Sequence, residues 1–132
     1  MILHPLAVHF PLALWLTSAL FDLLAWRRKD PLYRRAAYWL VGLGLLGAVL
    51  SIALGWIDLL AQESAGVGVA LVLKHRLHSE AAYIATLAYG TNFGWRWRTA
   101  NRLSATLLTL SLVGALLVAL TGYLGGDLRN VM

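Results

Sequence analysis

The chain has 132 residues, 60% of them hydrophobic and 13% charged; a soluble domain is usually about 45–50% apolar and about 25% charged, so that class is excluded. With no cysteine, disulfides, haem thioethers and thiolate metal sites are excluded as well. The formal net charge of +5 raises nucleic acid as a partner, but the positive residues have a better explanation. Arg27, Arg28, Lys29, Arg34 and Arg35 follow one apolar run, and Arg96, Arg98 and Arg102 follow another. Basic residues gathered in short loops are the mark of the cytoplasmic side of a membrane protein, and no nucleic-acid role is expected.

Four apolar runs follow one another, over residues 5–26, 38–60, 77–95 and 103–124. Each is near the roughly 20 residues that cross a hydrocarbon core about 30 Å thick, and a run of this length satisfies its backbone in lipid only as a helix. The expected fold is all-α: a four-transmembrane-helix up-down bundle. It forms a single integral membrane domain over residues 1–132, with helices at about 5–26, 36–60, 75–95 and 102–124. The basic loops then lie inside, and both termini and the loop between helices 2 and 3 lie outside. In a bacterium this means the inner membrane with periplasmic termini. Trp26, Trp39, Trp95 and Trp97 stand beside the basic loops as an interfacial belt. No Lys or Arg precedes the first run, so it does not read as a secretory signal.

Helix 1 can start at Pro5, a residue suited to a first helical turn, and carries Pro11, Trp15 and Asp22. Helix 2 has Gly47, Ser51 and Gly55 four apart, a ridge of small residues that permits close helix contact in lipid. It closes on Gly55-Trp56-Ile57-Asp58. The outer loop spans residues 61–73, and its apolar part, 66–73, is expected at or in the membrane surface. Helix 3 opens with His75-Arg76-Leu77-His78. Helix 4 repeats the small ridge as Ser111, Ala115 and Ala119. Its Gly-rich end, Thr121-Gly122-Tyr123-Leu124-Gly125-Gly126-Asp127, reads as a stop.

Sliding the chain by 69 residues lays His9 on His78, Ala13 on Ala82, Thr17 on Thr86, Ala19 on Ala88, Trp26 on Trp95 and Arg27 on Arg96. The same shift lays Asp58 on Asp127. This suggests two parallel hairpin repeats about an axis along the membrane normal. Helices 1 and 3 would be diagonal, with His9 and His78 facing each other near the outer surface.

Ionisable groups in membrane segments are functional candidates by default, and here His4, His9, Asp58, His75, His78, Glu80 and Asp127 gather at the outer helix ends. One reading is a b-type haem held by His9 and His78, with His4 and His75 as alternates. Gly55 on helix 2 and Gly122, Gly125 and Gly126 on helix 4 would make room for the macrocycle, Lys74 or Arg76 would neutralise its propionates, and Asp58 or Asp127 would orient a ligand imidazole. The competing reading is a Zn, Fe or Mn site of His9, His78, Asp58 and Asp127, one ligand per helix. Trp15, Trp56, Tyr83, Tyr89 and Tyr123 could line a cofactor or quinone pocket, although packing explains them as well. Asp22 has Arg27 or Arg96 as a simple partner. No nucleophile elbow, phosphate loop or paired carboxylates support a hydrolase or transferase.

At His4-Pro5-Leu6-Ala7-Val8-His9-Phe10-Pro11-Leu12-Ala13-Leu14 the chain resembles a family of small predicted bacterial membrane proteins catalogued as domain of unknown function 2231. Gly55-Trp56-Ile57-Asp58, His75-Arg76-Leu77-His78 and Gly122-Tyr123-Leu124-Gly125-Gly126 extend the likeness over nearly the whole chain. Where the family often continues after its Gly pair into an aromatic and a His-Gly, this chain runs Asp127-Leu128-Arg129-Asn130. The resemblance implies four membrane helices. It leans toward respiratory electron transfer, since some members resemble modules fused to c-type cytochrome or Rieske-like domains. The expected function is a membrane b-type cytochrome-like electron-transfer subunit, of the kind that serves in a membrane oxidoreductase. The alternatives are a non-haem metal-binding protein or an accessory subunit of a larger complex. Candidate partners are the lipid bilayer, a quinone, a periplasmic redox protein, and a second copy or a larger membrane complex.

Overall fold

The computed structural model describes residues 3–66 and 68–131, without the side chains of residues 3, 5 and 129–131. Four helices fill it: α1 (Leu3–Arg28), α2 (Pro31–Ser64), α3 (Val69–Arg98) and α4 (Ala105–Val131). α1 packs on α2 and α4, and α3 packs on the same two. α1 and α3 therefore face each other across one diagonal, α2 and α4 across the other. Among the described residues there is no strand, and the chain is the all-helical bundle that the apolar runs predict.

The helices run longer than their apolar stretches. Asp30 caps α2, accepting from the Leu32 N–H at 2.9 Å, with Pro31 at the first helical position; this signal starts the helix ahead of residue 36. Ser104 caps α4 through the Leu107 N–H at 3.2 Å. The outer loop shrinks to residues 65–68, of which Val67 lies outside the described residues. Most of the apolar segment after it is the first turn of α3 rather than a surface loop. Nor does the Gly-rich stretch stop α4, which continues through it to Val131. Gly122 and Gly125 serve packing instead.

α1, α2 and α4 each hold a stretch long and apolar enough to cross a membrane: Leu6–Arg28, Pro31–Ser64 and Ala105–Leu128. α3 does not reach that mark by composition. Lys74, His75, Arg76, His78 and Glu80 occupy one end of it, and Arg96 and Arg98 the other. The outward faces carry Leu20, Leu46, Val49, Leu87 and Leu116, all exposed, as a surface meeting lipid requires. Trp26, Trp39, Trp95 and Trp97 are exposed at the basic end.

The core is narrow and built of Trp15, Val41, Ala48, Ala85, Tyr89 and Val118. Trp15 and Tyr89 stack across the α1–α3 diagonal, their ring centres 4.2 Å apart and nearly parallel. The Trp15 ring lies against Gly44 and the Tyr89 ring against Gly114, so each large ring is admitted by a missing Cβ on the neighbouring helix. The ridge of Gly47, Ser51 and Gly55 on α2 is buried against α1 as expected. On α4 the buried stripe is Leu107, Ser111, Gly114 and Val118, while Ala119 is exposed. A strict four-residue spacing drifts about 40° per step round a helix of 3.6 residues per turn, which carries Ala119 off the contact face.

The internal repeat is real in the packing but has a different register. Trp15 and Tyr89 are 74 residues apart, as are Asp22 and Arg96, and His4 and His78. Gly44 and Gly114 are 70 apart, as are Ser51 and Thr121, and Gly55 and Gly125. All these pairs occupy matching places in the two hairpins. The 69-residue shift is five short for α1 and α3, about 140° round the helix, so it superposes residues of different faces. The second hairpin is shorter by four residues between equivalent positions, about one helical turn.

Candidate functional site

The half of the bundle next to the basic loops holds a polar cluster. Asp22, Asn92, Arg96 and Ser111 are completely or almost completely buried. The Arg96 guanidinium donates to Asp22 Oδ2, to Asn92 Oδ1 at 2.7 Å and to Asn101 Oδ1 at 3.2 Å. Ser111 Oγ donates to the same Asp22 oxygen at 2.5 Å, and Asn92 Nδ2 donates to Ser111 Oγ at 2.9 Å. Asn101 Nδ2 in turn donates to the Arg34 carbonyl at 3.1 Å, tying the α3–α4 turn to α2. Asp22 thus pairs with Arg96, one of its two expected partners. A charge in this setting is tolerable only when paired and hydrogen-bonded.

Above this cluster the Trp15–Tyr89 stack forms a floor, and above the floor lies a cavity of about 290 Å³. Ala48, Ala82, Ala85, Leu12, Val118 and Gly122 supply much of its apolar wall. His4, His9, Asp58, Gln62, His75 and His78 supply polar groups. All four helices therefore contribute to one chamber at the end away from the basic loops.

Two of the histidines are held in the same way. His4 Nδ1 meets the Ser51 carbonyl at 3.0 Å, and His78 Nδ1 meets the Thr121 carbonyl at 3.1 Å. A carbonyl oxygen only accepts, so each Nδ1 carries the proton and donates it. Each Nε2 is left with its lone pair. A Cβ on Gly55 would come within 2.9 Å of His4 Cε1, and a Cβ on Gly125 within 2.9 Å of His78 Cε1. The two rings stand 6.2 Å apart, centre to centre, with planes at 81°. Histidine, carbonyl and glycine recur at equivalent places in the two hairpins.

This arrangement changes the expected pairing. His4, not His9, stands across from His78. His9 lies five residues on, lines the same cavity, and is exposed at its edge. His75 is buried, its Nδ1 3.1 Å from Gln62 Oε1. It precedes the apolar run of α3, and burial lowers its pKa below the ordinary histidine range. The neighbouring His4 lowers it further, while Asp58 and Glu63 act in the opposite direction. Gly55 sits where a cofactor-making glycine was expected, on a histidine ring. Gly122 instead lies against Leu12, 3.5 Å from its hypothetical Cβ, and Gly125 takes the role beside His78.

The four-ligand set of His9, His78, Asp58 and Asp127 is not assembled. Asp127 reaches out to Lys74 at 3.0 Å on the surface. Among the described residues no three His, Asp or Glu groups come together so as to hold a metal ion. Lys74 and Arg76 are paired with Asp127 and with Glu63, the latter at 3.3 Å.

Sequence reasoning placed Gly125 among the glycines that make room for a cofactor, and missed that it seats the His78 ring and that a carbonyl stands behind each ring. A signal was present: Ser51-x-x-x-Gly55 and Thr121-x-x-x-Gly125 share one spacing and one residue pattern.

A family model described as predicted membrane protein (DUF2231) matches residues 1–132. The chain belongs to this family. The DUF2231 match covers the whole sequence, including the His4–His9 opening and the Gly55 and Gly125 segments. No curated protein and no solved structure matches it.

Proposed function

We propose that this DUF2231 protein is a membrane b-type cytochrome-like electron-transfer subunit, with His4 and His78 as the residues that would hold haem iron. The observation that carries the reading is the matched pair of rings. The two ring centres stand 6.2 Å apart, close enough for one bound group to lie between His4 and His78. Nδ1–H donation to a backbone carbonyl is the usual means of orienting a ligand imidazole and raising its basicity, and both rings have it.

The surroundings fit a flat apolar macrocycle. Ala48, Ala82 and Ala85 keep the walls low, and a macrocycle larger than the cavity of about 290 Å³ would extend into the helix crevices. Haem bound there would supply one-electron transfer. The chain's own residues orient the imidazoles through the Ser51 and Thr121 carbonyls, close the space beneath them with the Trp15–Tyr89 stack, and set the pair near one membrane face. By the placement of its basic loops, that face is the outer side of a bacterial inner membrane, where a quinone and a periplasmic redox protein are the natural exchange partners.

The test is an absorption spectrum of the purified protein in detergent. A Soret band with sharp α and β bands on reduction is expected. Bound Zn, Fe or Mn by elemental analysis with no Soret band would favour the non-haem alternative.

A further inference from the structure

The two outer crevices of the bundle follow one plan and are finished differently. Under the 74- and 70-residue relation, Trp56 of α2 corresponds to Gly126 of α4, and Tyr83 of α3 corresponds to His9 of α1. In the α2–α3 crevice the Trp56 indole donates to the Tyr83 hydroxyl, and the pair closes that side. In the α1–α4 crevice a Cβ on Gly126 would meet no atom within 4 Å. His9 stands at the same level. Gly122 lies against Leu12, and one turn toward the outer end brings Gly126 level with His9 in an antiparallel pair. Both residues line the cavity, both are exposed, and both fall within the membrane-crossing stretches of their helices.

We infer that the α1–α4 crevice at His9 and Gly126 is a lateral port through which a membrane quinone reaches the chamber; this deepens the electron-transfer reading by placing its lipid-soluble partner. Three features choose the occupant. The port opens between two membrane-crossing stretches, so its ligand arrives from lipid. The wall behind it, with Leu12, Val118 and Gly122, is apolar, as the face of a ring requires. At its mouth stands an imidazole, which pairs with an oxygen on the edge of that ring. A quinone with an apolar tail meets all three conditions. A lipid acyl chain offers the imidazole nothing.

The test is photolabelling of the full chain in lipid nanodiscs with an azido-substituted short-chain benzoquinone, followed by peptide mapping. Label is expected on α1 and α4 around His9, Leu12 and Gly122, and an excess of the unmodified quinone should compete it away. Gly126→Trp, which copies the closed side onto the open one, should abolish it. Trp56→Gly should add new label at Tyr83 that an excess of the unmodified quinone competes away, which label from misfolding would resist. Uncompeted label spread over lipid-facing residues, or label at His9 unchanged by Gly126→Trp in a folded protein, would overturn the port. Samples with and without haem are compared. A missing Soret band then counts against the haem reading alone, and a missing label against the port alone.

Discussion

Asp22 and Arg96 occupy equivalent positions in the two hairpins and neutralise each other inside the bundle. Where the halves meet on the pseudo-twofold axis, two identical residues would face each other. Two aspartates there would repel, and so would two arginines. The chain has one of each; Ser111 donates to Asp22 Oδ2 beside Arg96, Asn92 accepts from Arg96, and Asp22 Oδ1 is buried without a partner. Removing one partner strands the other charge, at a cost of about 3–5 kcal/mol. Asp22→Asn and Arg96→Leu should each lower stability by that order in mixed-micelle SDS unfolding. The double swap Asp22→Arg with Arg96→Asp should recover part of the loss, because the axis relates the two places.

Gly55→Ala and Gly125→Ala should displace the His4 and His78 rings, since either Cβ would sit closer to a ring carbon than real Cβ atoms do. Loss of haem retention with helical circular dichroism preserved is the expected result for both. Gly122→Ala should be mild, its nearest neighbour being a flexible leucine methyl at 3.5 Å. Equal effects at Gly122 and Gly125 would contradict the assigned roles.

The Trp15–Tyr89 floor should be energetically central. Trp15→Ala removes a buried ring and should cost about 3–5 kcal/mol. Tyr89→Phe keeps the stack and loses only the long bond to the Trp15 carbonyl at 3.4 Å, so its cost should be about 1 kcal/mol or less. Unfolding titrations of both variants check the contrast.

His75 gives the protein a pH dependence. Its folded pKa lies below the ordinary histidine value, so as pH falls past about 6.5 the unfolded chain takes up the proton first. Stability contributed by neutral His75 is therefore complete above that value. It declines down to the lowered folded pKa, and changes no further below it. His75→Gln should flatten the stability profile between pH 7.5 and pH 5 (values of roughly that span bracket the titration); an unchanged slope would show that His75 is not the group responsible.

Much of this was legible in the sequence, and the failures share a cause. Apolar runs and basic loops gave the four helices, because hydrophobic length is a coarse property that substitutions barely disturb. Asp30-Pro31 gave the true start of α2, yet the polar Tyr33-Arg34-Arg35 turn masked it. The repeat register was hidden because equivalent places hold unlike residues: Trp15 and Tyr89, Asp22 and Arg96, Ser18 and Asn92. Identity counting favoured alanine and threonine matches on other faces, and so preferred His9 to His4. Packing of ring on glycine, which sets the register, leaves its trace only in Gly44, Gly55, Gly114 and Gly125 taken together.

The central claim is that His4 and His78 act as one pair. Titrating haem into the apoprotein, and into His4→Ala, His78→Ala and His9→Ala, tests it most directly. The account predicts a low-spin Soret shift in the unmodified chain and in His9→Ala, and its loss in each of the other two. A shift that survives His4→Ala but disappears in His9→Ala, or no shift in any of the four, would contradict it.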